Sequence, residues 1–217
     1  EDTFNGAEQD TNVKAIVFEG KGKAFVAGAD IGFFVKKIEQ KQINDIVEFT
    51  RQGQELLLRI DKSPKIVIAK IDGLTLGGGA ELALACDIIL MTERASIGFP
   101  ETGIGIYPGL GGTQRLPRLI GKHLAKYLIF TGDIINAKLA SEMGLAELVF
   151  ISNLNNQIKE IAKGPDPKAR MLKTIMSSAQ TEKIRALFGD DKIDLLMTGK
   201  LANSSDVLEA QISKKVS

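Results

Sequence analysis

The chain of 217 residues has one cysteine, Cys86, and one histidine, His123. A single thiol cannot form an intrachain disulfide, which fits a reducing compartment, and one cysteine with one histidine cannot supply zinc-finger spacing. The same poverty restricts catalysis, because any serine or cysteine triad would have to use His123. An enzyme built from this chain is expected to work with carboxylates or backbone dipoles. Excess charge is absent too: 28 basic residues against 27 acidic ones leave a formal +1. That balance gives no global attraction to nucleic acid or anionic lipid. Long apolar runs are missing as well. The longest uncharged stretch, residues 102–114, is 13 residues long and rich in glycine, short of the ~18 apolar residues of a membrane span. The chain opens on Glu1 and Asp2, with neither a basic nor an apolar leader region, so no secretory signal and a cytoplasmic location are the expectation.

What is present is ordinary for a globular protein: 25% charged and 44% hydrophobic residues, which excludes disorder throughout. The length suits one or two domains with a sizeable core. Residues 13–18 and 65–71 are short, β-branched and bounded by Gly, Pro, Ser or Asp, and read as buried strands; 87–91 and 146–151 read similarly. Between the first two, Ile43, Ile46, Val47, Leu57 and Ile60 recur at helical spacing, predicting an amphipathic helix weakened near Gly53. Strands alternating with helices predict an α/β fold with a largely parallel, buried sheet and ligands near strand ends. From Ser152 the pattern turns helical and polar, with breaks at Gly164-Pro165-Asp166-Pro167 and Gly189-Asp190-Asp191. A boundary is therefore placed near residue 151, giving a core over 1–151 and a helical region over 152–217.

Three segments carry candidate chemistry. In Leu76-Gly77-Gly78-Gly79-Ala80-Glu81 a glycine run feeds a short helix with a carboxylate in its first turn. A helix start presents free N–H groups and a positive end, the arrangement an oxyanion hole needs, although Glu81 could simply complement the dipole. In Gly98-Phe99-Pro100-Glu101-Thr102-Gly103-Ile104-Gly105 an acid follows a proline in an apolar loop. Burial there would disfavour its charged form; a solvated or capping Glu101 is the alternative. Two such acids make an acid/base pair. In Ala24-Phe25-Val26-Ala27-Gly28-Ala29-Asp30-Ile31 an apolar strand turns through small residues that let backbone N–H groups approach a ligand, with Asp30 capping a helix near Ile31.

Other signals fail. Gly103-Ile104-Gly105 has Pro108 where a dinucleotide fingerprint needs its last glycine, and Gly121-Lys122 is followed by His123, which breaks a phosphate loop. His123 is expected on a helix after Gly121, and Cys86 is expected to pack rather than react. Arg115, Arg118 and Lys122 follow helical spacing and read as a solvated face.

Taken together and in this order, the three segments resemble the crotonase or enoyl-CoA hydratase superfamily. The resemblance extends through Ile106-Tyr107-Pro108-Gly109-Leu110-Gly111-Gly112-Thr113-Gln114-Arg115-Leu116 and Thr131-Gly132, covering about residues 13–150. The joint pattern is specific where any one glycine run is not. Against full-length members, the opening hairpin and the final helices are not matched, as in a trimmed member. The resemblance implies a crotonase-like spiral of β-β-α units with a C-terminal helical region, assembled as a homotrimer or hexamer. It implies that the N–H groups of Ala29 and Gly78 bind a thioester oxygen, that Glu81 and Glu101 are the paired acids, and that Gly109 helps hold the reacting water. Phe25, Val26, Ala27 and Ile31 would border the CoA adenine site. Tyr107 stands where relatives often carry a smaller or apolar residue, which leaves acyl preference open.

The activity so implied is hydration of 2-enoyl-CoA thioesters, with coenzyme A entering as part of the substrate and no metal or other cofactor. The alternatives within the fold are a Δ3,Δ2-enoyl-CoA isomerase or a CoA-thioester hydrolase or lyase. Relatives that only shift a double bond often keep one of the two acids, and here both are Glu. A non-catalytic CoA- or RNA-binding homologue is the alternative of another class, and lost acids or added basic tracts would mark it. The chain could also be the hydratase module of a bifunctional protein that carries a 3-hydroxyacyl-CoA dehydrogenase.

Overall fold

A computed structural model of the chain describes residues 1–149 together with 155, 156, 158, 159 and 162. All elements below belong to the unit Glu1–Ile158. The expected boundary near 151 and the helical region over 152–217 lie outside the described residues, apart from the few positions just named.

The order is α1 (Asp2–Gln9), β1 (Ala15–Glu19), β2 (Ala24–Val26), α2 (Ile31–Glu39), α3 (Ile43–Asp61), β3 (Ile66–Ile71), β4 (Leu74–Leu76), α4 (Gly78–Leu84), β5 (Ile88–Thr92), β6 (Ser96–Gly98), a 3-10 turn (Pro100–Ile104), α5 (Gly112–Ile120), α6 (Lys122–Thr131), β7 (Ile134–Asn136), α7 (Ala137–Glu142) and β8 (Glu147–Val149). The strands form two sheets. One has the order β1-β3-β5-β8 and is parallel throughout; the other has the order β2-β4-β6-β7, with only the β6–β7 pair antiparallel. Each successive pair of strands adds one strand to each sheet, so the chain climbs as a spiral of β-β-α units. The single sheet expected from the long apolar runs is therefore two, because three-residue strands are too short to show a period in sequence.

The long strands form where the sequence is continuously apolar. In β5, Ile88-Ile89-Leu90-Met91-Thr92 are all buried, the signature of a parallel strand covered on both faces. Asp87 pins its start: the Val67 N–H donates to Asp87 Oδ2 at 2.9 Å and the Asp87 N–H donates to the Val67 carbonyl at 2.9 Å. The main core joins Ile71, Met91, Ile97 and Phe99 of the strand region to Leu84, Leu116 and Leu128 of the helices. A second cluster packs Phe4, Leu57 and Ile60 on Ile16 and Val67. The expected amphipathic helix is present as α3, which runs unbroken through Gly53. A Cβ there would lie 2.8 Å from Leu110 Cδ2, so this glycine makes room for a neighbouring loop. Among the described residues no helix is long and apolar enough to cross a membrane.

Candidate active site

Three neighbouring parallel strands, β2, β4 and β6, deliver the chain to one place. Ala29 follows β2, Gly78 follows β4 at the first position of α4, and Glu101 follows β6 in the 3-10 turn. Their carboxyl ends open on a cavity of about 400 Å³. Its lining includes the backbone-rich Ala27, Gly28, Ala29, Gly77 and Gly78, the acids Glu81 and Glu101, the loop at Gly109 and Leu110, and apolar side chains that include Ile31, Phe34, Phe49, Ile104 and Ile106. The crevice beyond strand ends is the usual ligand position in such sheets.

Local sequence explains how α4 reaches this point. Gly77 adopts φ +54°, which favours glycine, and a Cβ there would lie 3.1 Å from Glu101 Oε1. At Gly79 a Cβ would run into the Val26 carbonyl, so α4 lies directly against β2 only because that residue has no side chain. As the first residue of α4, Gly78 has an N–H without an intrahelical acceptor. Gly28, with φ +99°, turns the chain after β2 toward the same rim.

The two acids share the cavity but have different surroundings. Glu81 is 2% exposed, and its Oε1 accepts from the Leu110 N–H at 2.8 Å and the Gly112 N–H at 2.7 Å. Burial, aided by the negative charge of Glu101, pushes its pKa up to about 7, while the amides of Gly112 and Leu110 and the cation of Arg115 pull the other way. Glu101 is half-buried and is also raised, by burial. Its Oε2 is buried without a hydrogen-bond partner, a setting that favours the protonated form. Two carboxyl groups, both raised by burial and beside free helix-terminal amides, can move protons on a bound carbonyl compound.

Of the residues singled out in sequence, the structure brings Glu81, Glu101, Ala29, Gly78, Gly109, Ala27 and Ile31 to one cavity. It does not bring Phe25 or Val26 there. Phe25 is 7% exposed within the main core, and Val26 is partly buried against the same core. Asp30 caps α2, accepting from the Gly32 N–H at 2.9 Å. His123 lies on α6, and Cys86 packs between the core clusters with its thiol pushed up by burial. The reading of Arg115, Arg118 and Lys122 as one solvated face is corrected: Gly121 separates α5 from α6, and the Arg115 side chain is 15% exposed, 3.6 Å from Asp61. Sequence reasoning missed Phe34, Phe49 and Thr50. Phe34 lies on α2 just beyond the segment 28–31, where it reads as one more apolar helix residue, while Phe49 and Thr50 lie on α3 far from the glycine motifs. The α2–α3 hairpin, with its Phe34–Phe49 ring contact at 5.6 Å, brings them in.

Comparison with known proteins points the same way. Residues 1–212 match the family described as enoyl-CoA hydratase/isomerase. The chain is 39% identical over 183 residues to a crotonyl-CoA hydratase of Syntrophomonas wolfei, covering 83% of this chain and 69% of that protein. It is 45% identical over 159 residues to a short-chain-enoyl-CoA hydratase of Clostridium acetobutylicum, covering 71% of this chain and 59% of that one. Among solved structures, an enoyl-CoA hydratase from Thermoplasma volcanium superposes with a TM-score of 0.73 at 32% identity, over 98% of this chain and 83% of that one.

Proposed function

Because the chain belongs to the enoyl-CoA hydratase/isomerase family, we propose that it adds water across the double bond of 2-enoyl-CoA thioesters, using Glu81, Glu101 and a backbone oxyanion hole. One observation carries this reading: both acids, each raised by burial, line one cavity with Ala29 and Gly78. Addition of water to a 2-enoyl thioester moves negative charge onto the carbonyl oxygen. Amide donors placed for that enolate stabilise the transition state more than the substrate. The N–H groups of Ala29 and Gly78 take this role, and loss of one such donor costs about 3 kcal/mol.

Glu81 is the principal water base. Its Oε1 is occupied by two amides, which leaves the other oxygen to orient water and accept its proton as the new C–O bond forms at the β-carbon. Glu101 is the principal donor of the α-proton, and its buried, unpartnered Oε2 supports that assignment. The Gly109 region helps hold the water. Apolar walls at Phe34, Phe49, Ile104 and Ile106 suit a short or medium hydrocarbon acyl chain. Coenzyme A enters as part of the substrate, with Ala27 and Ile31 at the border of its site, and the scheme needs no further cofactor.

The coarser setting follows from the same reading. Assembly as a trimer or hexamer is part of the proposal, and exposed apolar side chains such as Tyr127, Phe130 and Ile134 are surface that association would cover. The single free cysteine supports a cytoplasmic location. A helical region over 152–217 and a place as the hydratase module of a bifunctional protein are further parts of the proposal. The deciding experiment follows loss of the enone absorbance of crotonyl-CoA. Hydration by the wild type is expected; isomerisation of a 3-enoyl-CoA without hydration overturns the reading.

A further inference from the structure

We propose that Arg115, together with Gln54, is a positioning residue that holds the 109–112 loop as a two-amide clamp on Glu81, a deepening that rests on the hydratase reading above. The clamp is made of consecutive peptide planes. The Leu110 and Gly112 N–H groups both donate to Glu81 Oε1, at 2.8 and 2.7 Å. A loop carrying Gly109, Gly111 and Gly112 has wide conformational freedom, so something must orient those amides.

Each plane has a holder. In the 109–110 peptide, Gln54 Nε2 donates to the Gly109 carbonyl at 2.6 Å while the N–H of the same peptide faces Glu81. Because a peptide group is planar, fixing its carbonyl fixes its N–H. In the 110–111 peptide, the Arg115 guanidinium donates to the Leu110 carbonyl at 3.1 Å. In the 111–112 peptide, the Gly111 carbonyl accepts from the Gln114 and Arg115 N–H groups at 2.9 Å each, and the Gly112 N–H faces Glu81. Arg115 thus holds two of the three planes, one through its side chain and one through its backbone.

The guanidinium is itself seated. It is largely buried, lies 3.6 Å from Asp61 at the end of α3, and occupies the space that a Cβ on Gly111 would enter. The charged groups that bear on Glu81 are Glu101 from the 3-10 turn and Arg115 from α5. Arg115 opposes the effect of Glu101, so loss of its side chain removes a cation and the hold on the 110–111 peptide that links the two clamping planes.

The test uses Arg115→Met, Arg115→Lys and Gln54→Leu in the full chain. It measures kcat and KM for crotonyl-CoA, the melting temperature, and the titration of the Glu81 13C-carboxyl signal, identified by its loss in Glu81→Gln. Arg115→Met is expected to lower kcat by up to about 10²-fold, the cost of a displacement near 1 Å, with little change in KM and with the Glu81 midpoint moved upward. Arg115→Lys should recover part of the titration, because the charge is kept and the planar fork is lost. A folded Arg115→Met protein with an unmoved Glu81 titration overturns the proposal, whether or not kcat or the melting temperature falls. If Arg115→Met does not fold, Gln54→Leu at its exposed position decides by the same two readouts. Should the wild type hydrate no 2-enoyl-CoA, the hydratase reading fails, while the carboxyl titration still judges the clamp.

Discussion

Glu81 and Glu101 lie in one largely apolar cavity, and the proposed reaction places opposite requirements on them, since one is to accept a proton and the other to hold one. Glu81→Gln and Glu101→Gln are each expected to lower kcat by about 10²–10⁴-fold, with circular dichroism unchanged. In the wild type, kcat/KM should rise through an acid limb near pH 7 as Glu81 ionises, and a limb that stays well below pH 6 counts against Glu81 as the base. Both acids were legible in sequence because each stands in a short glycine-rich motif whose composition implies close backbone approach. Arg115 and Gln54 were not. Arg115 reads as part of a charged helical face, and its burial depends on Asp61, which is 54 positions away by number (115 less 61). Gln54 is one polar residue on the outer side of an amphipathic helix, and only the fold aims it at the Gly109 carbonyl.

At the level of elements, the site depends on how closely α4 can approach β2. Gly79→Ala would drive a methyl group into the Val26 carbonyl, where the backbone cannot yield cheaply. It should lower stability by about 1–3 kcal/mol, read as a shift in the urea midpoint, and reduce activity. Gly6→Ala in α1 is the contrast, with nothing within 4 Å of the added atom; it should be neutral or stabilise by about 0.5–1 kcal/mol. The long strands were legible within a residue or two because they are continuously apolar. Three-residue strands such as Leu74–Leu76 and Ser96–Gly98 carry too few side chains to show a period, so the second sheet, which shapes the site, could be seen only in three dimensions. Gly53 shows the same limit: composition marks it only as a weak point in the helix, whereas its packing against Leu110 is visible only in the fold.

For the whole molecule, the chemistry carries a stability cost that depends on pH. Burial raises Glu81 from 4.5 to about 7, so the folded protein holds a proton that the unfolded chain releases between those values. The contribution is fully present below about pH 4.5 and is lost as pH rises through 7; Glu101 is shifted in the same direction. Denaturant midpoints measured across this range should therefore fall for the wild type and stay flatter for Glu81→Gln. Above pH 7 the variant should be more stable by on the order of 3 kcal/mol. Equal slopes would contradict the assignment of a raised pKa.

The neighbouring ends of β2, β4 and β6 have one more consequence. The groups proposed to transfer protons are anchored by short segments directly after the strands, whereas much of the cavity wall comes from α2, α3 and the turn leading to Tyr107. Selection can therefore remodel which thioesters are admitted by changing wall residues such as Phe34, Phe49 and Ile106 while Gln54 and the reacting groups are kept. That division of labour makes such a scaffold highly evolvable.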